Sequence, residues 1–243
     1  IQDLQFFGEF GGVNPSISDS STYTFLSANS MSETFEGNTE GCYLYSRNSS
    51  PSNIYLEEAC AAMEGTEAAN VFSSGMGAIT STILQLCKSG DHIISSRTVY
   101  GGTYAFLKNF TPQLGIETDF VDITSLDDIK RLIKPNTKII YCEVSSNPLL
   151  EIADIESISE IAKKNNLKLI VDNTFTPLSV SPAKNGADIV IHSLTKFING
   201  TSDTIAGVVC SNKEFIHSLR DVNDGAFMLM GATMDSLRAA SVL

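Results

Sequence analysis

The chain has no tryptophan, only three histidines (His92, His192 and His217), and 16 basic residues against 28 acidic ones. Each shortage excludes a class of function. Nucleic-acid backbones are bound by clusters of lysine and arginine, and a net charge of −12 without a basic run argues against that partner. The histidines share no metal-ligand spacing, and the cysteines (Cys42, Cys60, Cys87, Cys142, Cys210) form no CxxC pair, so no metal is expected. That odd cysteine set reads as reduced, mostly buried small hydrophobes. No apolar run approaches the roughly 18 residues of a membrane span. The first residues, IQDLQFFGEF, lack the basic start and cleavage site of a secretory signal, so a cytoplasmic address without a membrane partner is expected. GxGxxG and P-loop fingerprints are missing too, and no Ser-His-Asp set stands out.

What is present is an ordinary globular composition, 42% hydrophobic over 243 residues, enough for one large domain and a smaller appendage. Residues 1–50 are polar and turn-rich, with Gly11-Gly12 and Asn14-Pro15, and show no sustained helical or strand period. They read as an extended N-terminal arm lying on another surface. From Ser52, Leu56, Ala59, Cys60 and Met63 recur at helical spacing up to Gly65. Beyond it, short apolar runs alternate with helical segments. Strands are expected at 71–72, 92–95, 117–121, 138–142, 168–171, 188–191 and 208–210. Helices are expected from 75 to 86, 104 to 114, 126 to 133, 155 to 164 and 213 to 220, and a last helical run covers 234–243. This alternation predicts an α/β fold, a mostly parallel sheet with helices on both faces. The last run stops without a Gly or Pro terminator, as a chain continuing further would.

The stretch Lys168–Gly207 concentrates the chemistry. Asp172 follows one apolar run, and Ser193, Thr195 and Lys196 follow the next, at the strand ends where open α/β sheets collect ligands. A lysine in so apolar a context points to pairing or covalent use. Ser73-Ser74-Gly75-Met76-Gly77 joins a strand to a helix and is either a phosphate cradle or a plain tight turn. Tyr100 and Asn147 also fall at strand ends. A Schiff-base lysine, an anion cradle and an acid able to hold a ring nitrogen protonated are together the requirements of pyridoxal phosphate. Tyr45 and Arg47 read, on sequence physics alone, as an exposed turn.

The run Asp188-Ile-Val-Ile-His-Ser-Leu-Thr-Lys196-Phe-Ile-Asn-Gly200 resembles the lysine signature of the Cys/Met-metabolism pyridoxal-phosphate enzymes. That family includes cystathionine γ-lyases, methionine γ-lyases, cystathionine γ-synthases and O-acetylhomoserine sulfhydrylases. Tyr45-Ser-Arg47, Ser74-Gly75-Met76, Tyr100-Gly-Gly-Thr103, Glu143…Asn147-Pro148 and Val171-Asp-Asn-Thr174 extend the resemblance, in the family's order, over about residues 43–207. The resemblance implies an aspartate-aminotransferase-like large domain at 51–243, an arm at 1–50 reaching the neighbouring subunit, and a C-terminal domain that this chain does not contain.

It further implies that Lys196 is the Schiff-base lysine and proton carrier, and that Tyr100 stacks on the ring and acts as an acid toward the leaving group. Asp172 would face the ring nitrogen and Asn147 the ring hydroxyl. Gly75, Met76, Ser193 and Thr195 would hold the phosphate, joined by Tyr45 and Arg47 of a neighbouring subunit in a homodimer or homotetramer with shared active sites. The implied activity is γ-elimination on a small amino-acid substrate such as methionine, cystathionine or homocysteine. The alternatives are γ-replacement by a synthase and a non-catalytic cofactor-binding fragment. Three positions depart from the family: Thr201 where histidine is common, Ser50-Pro51-Ser52 in place of Asn-Pro-Thr, and Gly102 where well-known methionine γ-lyases carry cysteine.

Overall fold

The computed structural model describes residues 13–36 and 41–243. Its core is one seven-stranded sheet. In chain order the strands are β1 (Ala68–Phe72), β2 (His92–Ser96), β3 (Glu117–Val121), β4 (Thr137–Glu143), β5 (Lys168–Asp172), β6 (Ile189–His192) and β7 (Gly207–Ser211). Their spatial order is β1-β7-β6-β5-β4-β2-β3. β3, β2, β4, β5 and β6 pair in parallel, whereas β7 runs antiparallel to both β6 and β1. The mostly parallel sheet expected from the alternation is therefore present.

The helices are α1 (Ala28–Phe35), α2 (Pro51–Glu64), α3 (Gly75–Leu86), α4 (Gly101–Ala105), α5 (Leu126–Leu132), α6 (Ile155–Lys164), α7 (Lys213–Arg220), α8 (Ala226–Met230) and α9 (Ser236–Val242). A π-helical turn, Phe106–Phe110, and a 3-10 turn, Thr111–Leu114, continue α4. That helical run starts at Gly101, three residues earlier than its apolar pattern indicates. α1 corrects the reading of residues 1–50 as periodless: Ser27 and Ser30 cap each other's backbone N–H groups and start a helix whose only buried side chain is Thr34. Capping chemistry makes this helix where hydrophobic periodicity does not. The Gly11-Gly12 expectation lies outside the described residues.

The central strands are apolar through their middles because helices cover both faces, and their polar residues fall at the ends. On one face Ile139, Tyr141, Ile170 and Ile191 pack with Ile79 and Ile83 of α3, Ile216 of α7 and Phe227 of α8. On the other, Ile140, Cys142, Leu169 and Val171 meet Ile129 of α5 and Ile158 and Ile161 of α6. Leu56 and Cys60 of α2 and Ala239 of α9 cover Val71, Val190 and Val208 at the β1 side of that face. Alternation along β4 and β5 puts Glu143 and Asp172 on the α3 face at the carboxyl ends of their strands, where they are register partners. Asp188, read from sequence as a strand residue, instead ties strand starts together. Its carboxylate accepts from the Leu169 N–H at 2.9 Å and from Lys168 Nζ at 3.0 Å.

Candidate active site

The strand-to-helix turn after β1 is held open by close backbone approach. A Cβ on Gly75 would stand 2.8 Å from the Cβ and 2.9 Å from the Oγ of Ser193, and one on Gly207 would run into the Ser74 carbonyl. Only glycine allows the start of α3, the end of β6 and the start of β7 to meet there. Ser74 caps the helix, accepting from the Gly77 N–H at 3.0 Å. Helix geometry leaves the Gly75 and Met76 N–H groups without intrahelical acceptors, directed outward at the positive end of the helix dipole beside the Ser193 hydroxyl. Such a turn has the donors and the room that an anion cradle requires.

Asp172 ends β5 next to this cradle. Its Oδ1 accepts from the Thr174 N–H at 2.9 Å and its Oδ2 from the Tyr141 hydroxyl at 3.4 Å. Burial pushes the Asp172 carboxyl up, while the Thr174 bonds, the neighbouring His192 and the Tyr141 hydroxyl pull it down. Thr174 also accepts the Ser193 N–H at 2.7 Å, so one threonine fixes both the acid and the cradle serine. Sequence reading assigned no role to Thr174 or Tyr141. The signals for them were Thr174's place in the Val171–Thr174 motif and the two-residue spacing of Tyr141 from Glu143 on β4.

Tyr100 precedes α4 and is 52% exposed, its ring overlying Gly102. Its N–H donates to Glu143 Oε1 at 2.6 Å, and the Asn147 N–H donates to Glu143 Oε2 at 3.3 Å. Burial first, then the Asp172 charge, push Glu143 up to about 7, against the pull of those two N–H bonds. Asn147 itself is exposed.

Lys196 lies in the turn after β6 and is exposed, not enclosed as its apolar neighbours in sequence indicate. The strand ends at His192, and the lysine stands beyond the covered part of the sheet. The Thr195 hydroxyl donates to the Ala206 carbonyl at 3.1 Å and accepts the Ala206 N–H at 2.9 Å, so its hydrogen is engaged by the chain itself. Tyr45 and Arg47 find their partners elsewhere: the Arg47 guanidinium lies 5.7 Å from the Tyr45 ring centroid and donates to the Met228 carbonyl. Within one chain the structure thus gathers Gly75, Met76, Ser193 and Asp172, with Lys196 one turn away, and seats Arg47 against α8 with the Tyr45 ring beside it.

His192 is fully buried on the opposite face, its Nε2 at 2.7 Å from Glu64 Oε1. All five cysteines are free, four of them buried and Cys42 exposed, in keeping with the reading of a reduced, mostly buried set. Burial pushes the Cys60 and Cys87 thiols up to about 12, which removes them as nucleophiles.

A family model described as Cys/Met metabolism PLP-dependent enzyme matches residues 3–243. The chain belongs to the Cys/Met-metabolism pyridoxal-phosphate-dependent enzyme family. It is 43% identical over 235 residues to a methionine gamma-lyase of Arabidopsis thaliana, a match covering 95% of this chain and 53% of that protein. It is 44% identical over 191 residues to a cystathionine gamma-lyase of Bacillus subtilis, covering 78% of this chain and 50% of that one. The crystal structure of metB from Corynebacterium glutamicum superposes with a TM-score of 0.85 at 33% identity, over 96% of this chain and 58% of that chain. The chain spans about half the length of the curated relatives it matches. The likeness to the metB structure bears out the expected fold, and the cofactor the family implies is pyridoxal 5′-phosphate.

The residues fit that cofactor. A cradle that a Cβ would fill, lined by orphan helix N–H groups and a serine hydroxyl, suits a phosphate. A buried carboxyl held as an acceptor by Thr174 and Tyr141 suits a protonated ring nitrogen, whose positive charge offsets the cost of burying the carboxylate. An exposed lysine on the adjoining turn suits an aldehyde.

Proposed function

We propose that this chain is the cofactor-binding part of a pyridoxal-phosphate-dependent carbon–sulfur lyase. It would eliminate the γ-substituent of methionine, cystathionine or homocysteine to give a 2-oxo acid, ammonia and a thiol. The observation carrying this reading is the meeting of the Gly75–Ser193 cradle with Asp172 and Lys196 at the carboxyl ends of β5 and β6. The gamma-lyase relatives favour elimination over replacement.

Bound pyridoxal phosphate supplies an electron sink for negative charge developing on the substrate carbons. The chain's own residues do the rest. Gly75 and Met76 N–H groups and the Ser193 hydroxyl hold the phosphate, with Thr195 joining once its hydroxyl turns from Ala206. Asp172 holds the ring nitrogen protonated, and Asn147 donates to the ring hydroxyl oxygen. Tyr100 covers the ring face. Lys196 would hold the cofactor's aldehyde carbon, and its free amine would take the proton from the substrate Cα and carry protons among the neighbouring carbons. The Tyr100 hydroxyl gives a proton to the departing sulfur.

Tyr45 and Arg47 would reach the phosphate of a neighbouring subunit, making a homodimer the smallest complete site and a homotetramer its doubling. An arginine fork on the phosphate would supply positive charge that an acidic chain otherwise lacks. In this reading residues 1–50 are the intersubunit arm, 51–243 the large domain, and a further C-terminal domain supplies the group that binds the substrate carboxylate. A cytoplasmic location is part of the proposal and agrees with free, mostly buried cysteines. Among the described residues no helix is long and apolar enough to cross a membrane.

The test is addition of pyridoxal phosphate, borohydride reduction and peptide mass mapping. Cofactor mass fixed on Lys196, and lost in Lys196→Ala, is the expected result. Fixation elsewhere, or persistence in Lys196→Ala, would refute the assignment.

A further inference from the structure

Glu143 is 8% exposed and receives two backbone N–H groups from two different loops, one on each carboxylate oxygen. One donor is Tyr100, at the end of the loop after β2; the other is Asn147, in the loop after β4. Neither bond belongs to a helix or a sheet ladder. The same two loops are joined a second time, farther out. Glu151 Oε2 accepts from the Thr98 hydroxyl at 2.6 Å, and Glu151 Oε1 lies 3.3 Å from Arg97 Nη2. Arg97 is in turn held by Asp122 at 2.8 Å. The loop after β4 is itself closed, by Ser146 N–H to the Glu151 carbonyl and Glu151 N–H to Ser146 Oγ, each at 3.0 Å.

We infer that Glu143 is a positioning residue that sets the Tyr100 ring in register with the Asn147 amide, with Glu151 as the outer fastening of the same two loops. This rests on the proposed function, because Tyr100 and Asn147 there contact opposite aspects of one cofactor: a ring face and a ring-edge oxygen. A ring face and an edge donor must be placed together to a fraction of an ångström. Both residues are on exposed loop backbone, and the sheet alone does not fix their separation. A buried carboxyl group accepting from both, one N–H on each oxygen, fixes it. Asp172, the register partner of Glu143, aims at the same ring from the adjacent strand, so face, edge and nitrogen contacts trace back to neighbouring strand ends.

The test uses the full chain with Glu143→Ala and Glu143→Gln. Without cofactor, amide hydrogen exchange should rise roughly tenfold at both Tyr100 and Asn147 in Glu143→Ala, the size expected for losing one net hydrogen bond at each. In Glu143→Gln it should rise in at least one of the two loops, because the amide NH2 opposes one N–H donor. With cofactor, Glu143→Gln should melt near the wild type yet show a several-fold loss of the induced circular dichroism of the bound cofactor, which reports the asymmetric hold on its ring. A merely structural role would not move that signal. Unchanged exchange at Tyr100 or Asn147 in a folded Glu143→Ala, or unchanged dichroism in Glu143→Gln, overturns the inference. Should Glu143→Ala not fold, Glu143→Gln decides by both readouts. A wild-type chain that never fixes cofactor on Lys196 would fail the proposed function instead, and the exchange measurement would still decide the clamp.

Discussion

Replacing Gly75 by alanine tests the cradle at its tightest point. The new Cβ would lie 2.8 Å from Ser193 Cβ, 2.9 Å from its Oγ and 3.2 Å from its Cα. Ordinary carbon contacts lie at about 3.5–4.0 Å, so the start of α3 and the end of β6 must separate by roughly 1 Å. Ser193 cannot simply rotate away, because its Cα is among the close atoms and its N–H is fixed at 2.7 Å on Thr174. Overpacking of this kind costs about 1–3 kcal/mol, which for a domain of this size is a fall of roughly 2–10 °C in melting temperature. Cofactor binding should suffer more than stability, since the displaced atoms are the proposed phosphate donors, and a loss of affinity beyond tenfold is expected. Gly101→Ala is the control: nothing lies within 4 Å of its Cβ, so it should be near neutral. Thermal melts and fluorescence titration with pyridoxal phosphate read both quantities. A Gly75→Ala chain that melts like the wild type and binds cofactor within about twofold would refute the cradle assignment.

Other expectations follow from the same geometry. In Gly102→Ala the added carbon would meet Tyr100 Cε1 at 2.6 Å and Met76 Sδ at 3.0 Å, so the tyrosine ring must tilt. The visible spectrum of bound cofactor should shift, with little change in melting temperature. Glu143 rises from an ordinary 4.5 to about 7, so between those values the folded chain keeps a proton that the unfolded chain releases. Wild-type stability relative to Glu143→Gln should therefore fall as pH rises through that window, by about 3 kcal/mol in total, and urea unfolding across pH measures it. A flat difference would contradict the raised carboxyl. His192→Phe should cost about 1–3 kcal/mol by leaving Glu64 Oε1, on a side chain 1% exposed, with Asn173 Nδ2 but without its 2.7 Å histidine partner. Adding Glu64→Leu should recover most of that loss in chemical denaturation.

Much of the fold was legible because the buried strands are written as short apolar runs, as at Leu169–Val171 and Ile139–Cys142, bounded by polar residues. The bounds moved by one to three residues where backbone pairing extends past the apolar run, as at Ala68, Ser96 and Glu143. Lys196, Asp172 and Gly75 were legible because chemistry restricts their types. Thr174 was not, because a threonine after a strand end is ordinary until its two partners, Asp172 and Ser193, are seen on separate strands. Glu143 was visible as part of a motif, but its bonds reach 43 residues back in sequence to Tyr100. α1 escaped because serine caps, not apolar spacing, begin it.

The antiparallel course of β7 changes what kind of loop carries the lysine. A crossover connection would carry the chain over the sheet from Lys196; here residues 193–206 leave the sheet edge and return to the neighbouring strand. The feet of this excursion are fastened to each other by the three hydrogen bonds between Thr195 and Ala206. Its tip is closed separately by Asn199, Thr201 and Asp203, which bond among themselves. Lys196 therefore stands at the anchored base of a closed hairpin and is tied to its tip by backbone bonds, the Gly200 N–H donating to the Lys196 carbonyl and the Asn199 N–H to the Leu194 carbonyl, each at 2.9 Å. Sequence change at Thr201, where this chain departs from the histidine common in the family, is therefore passed to Lys196 through the Gly200 bond.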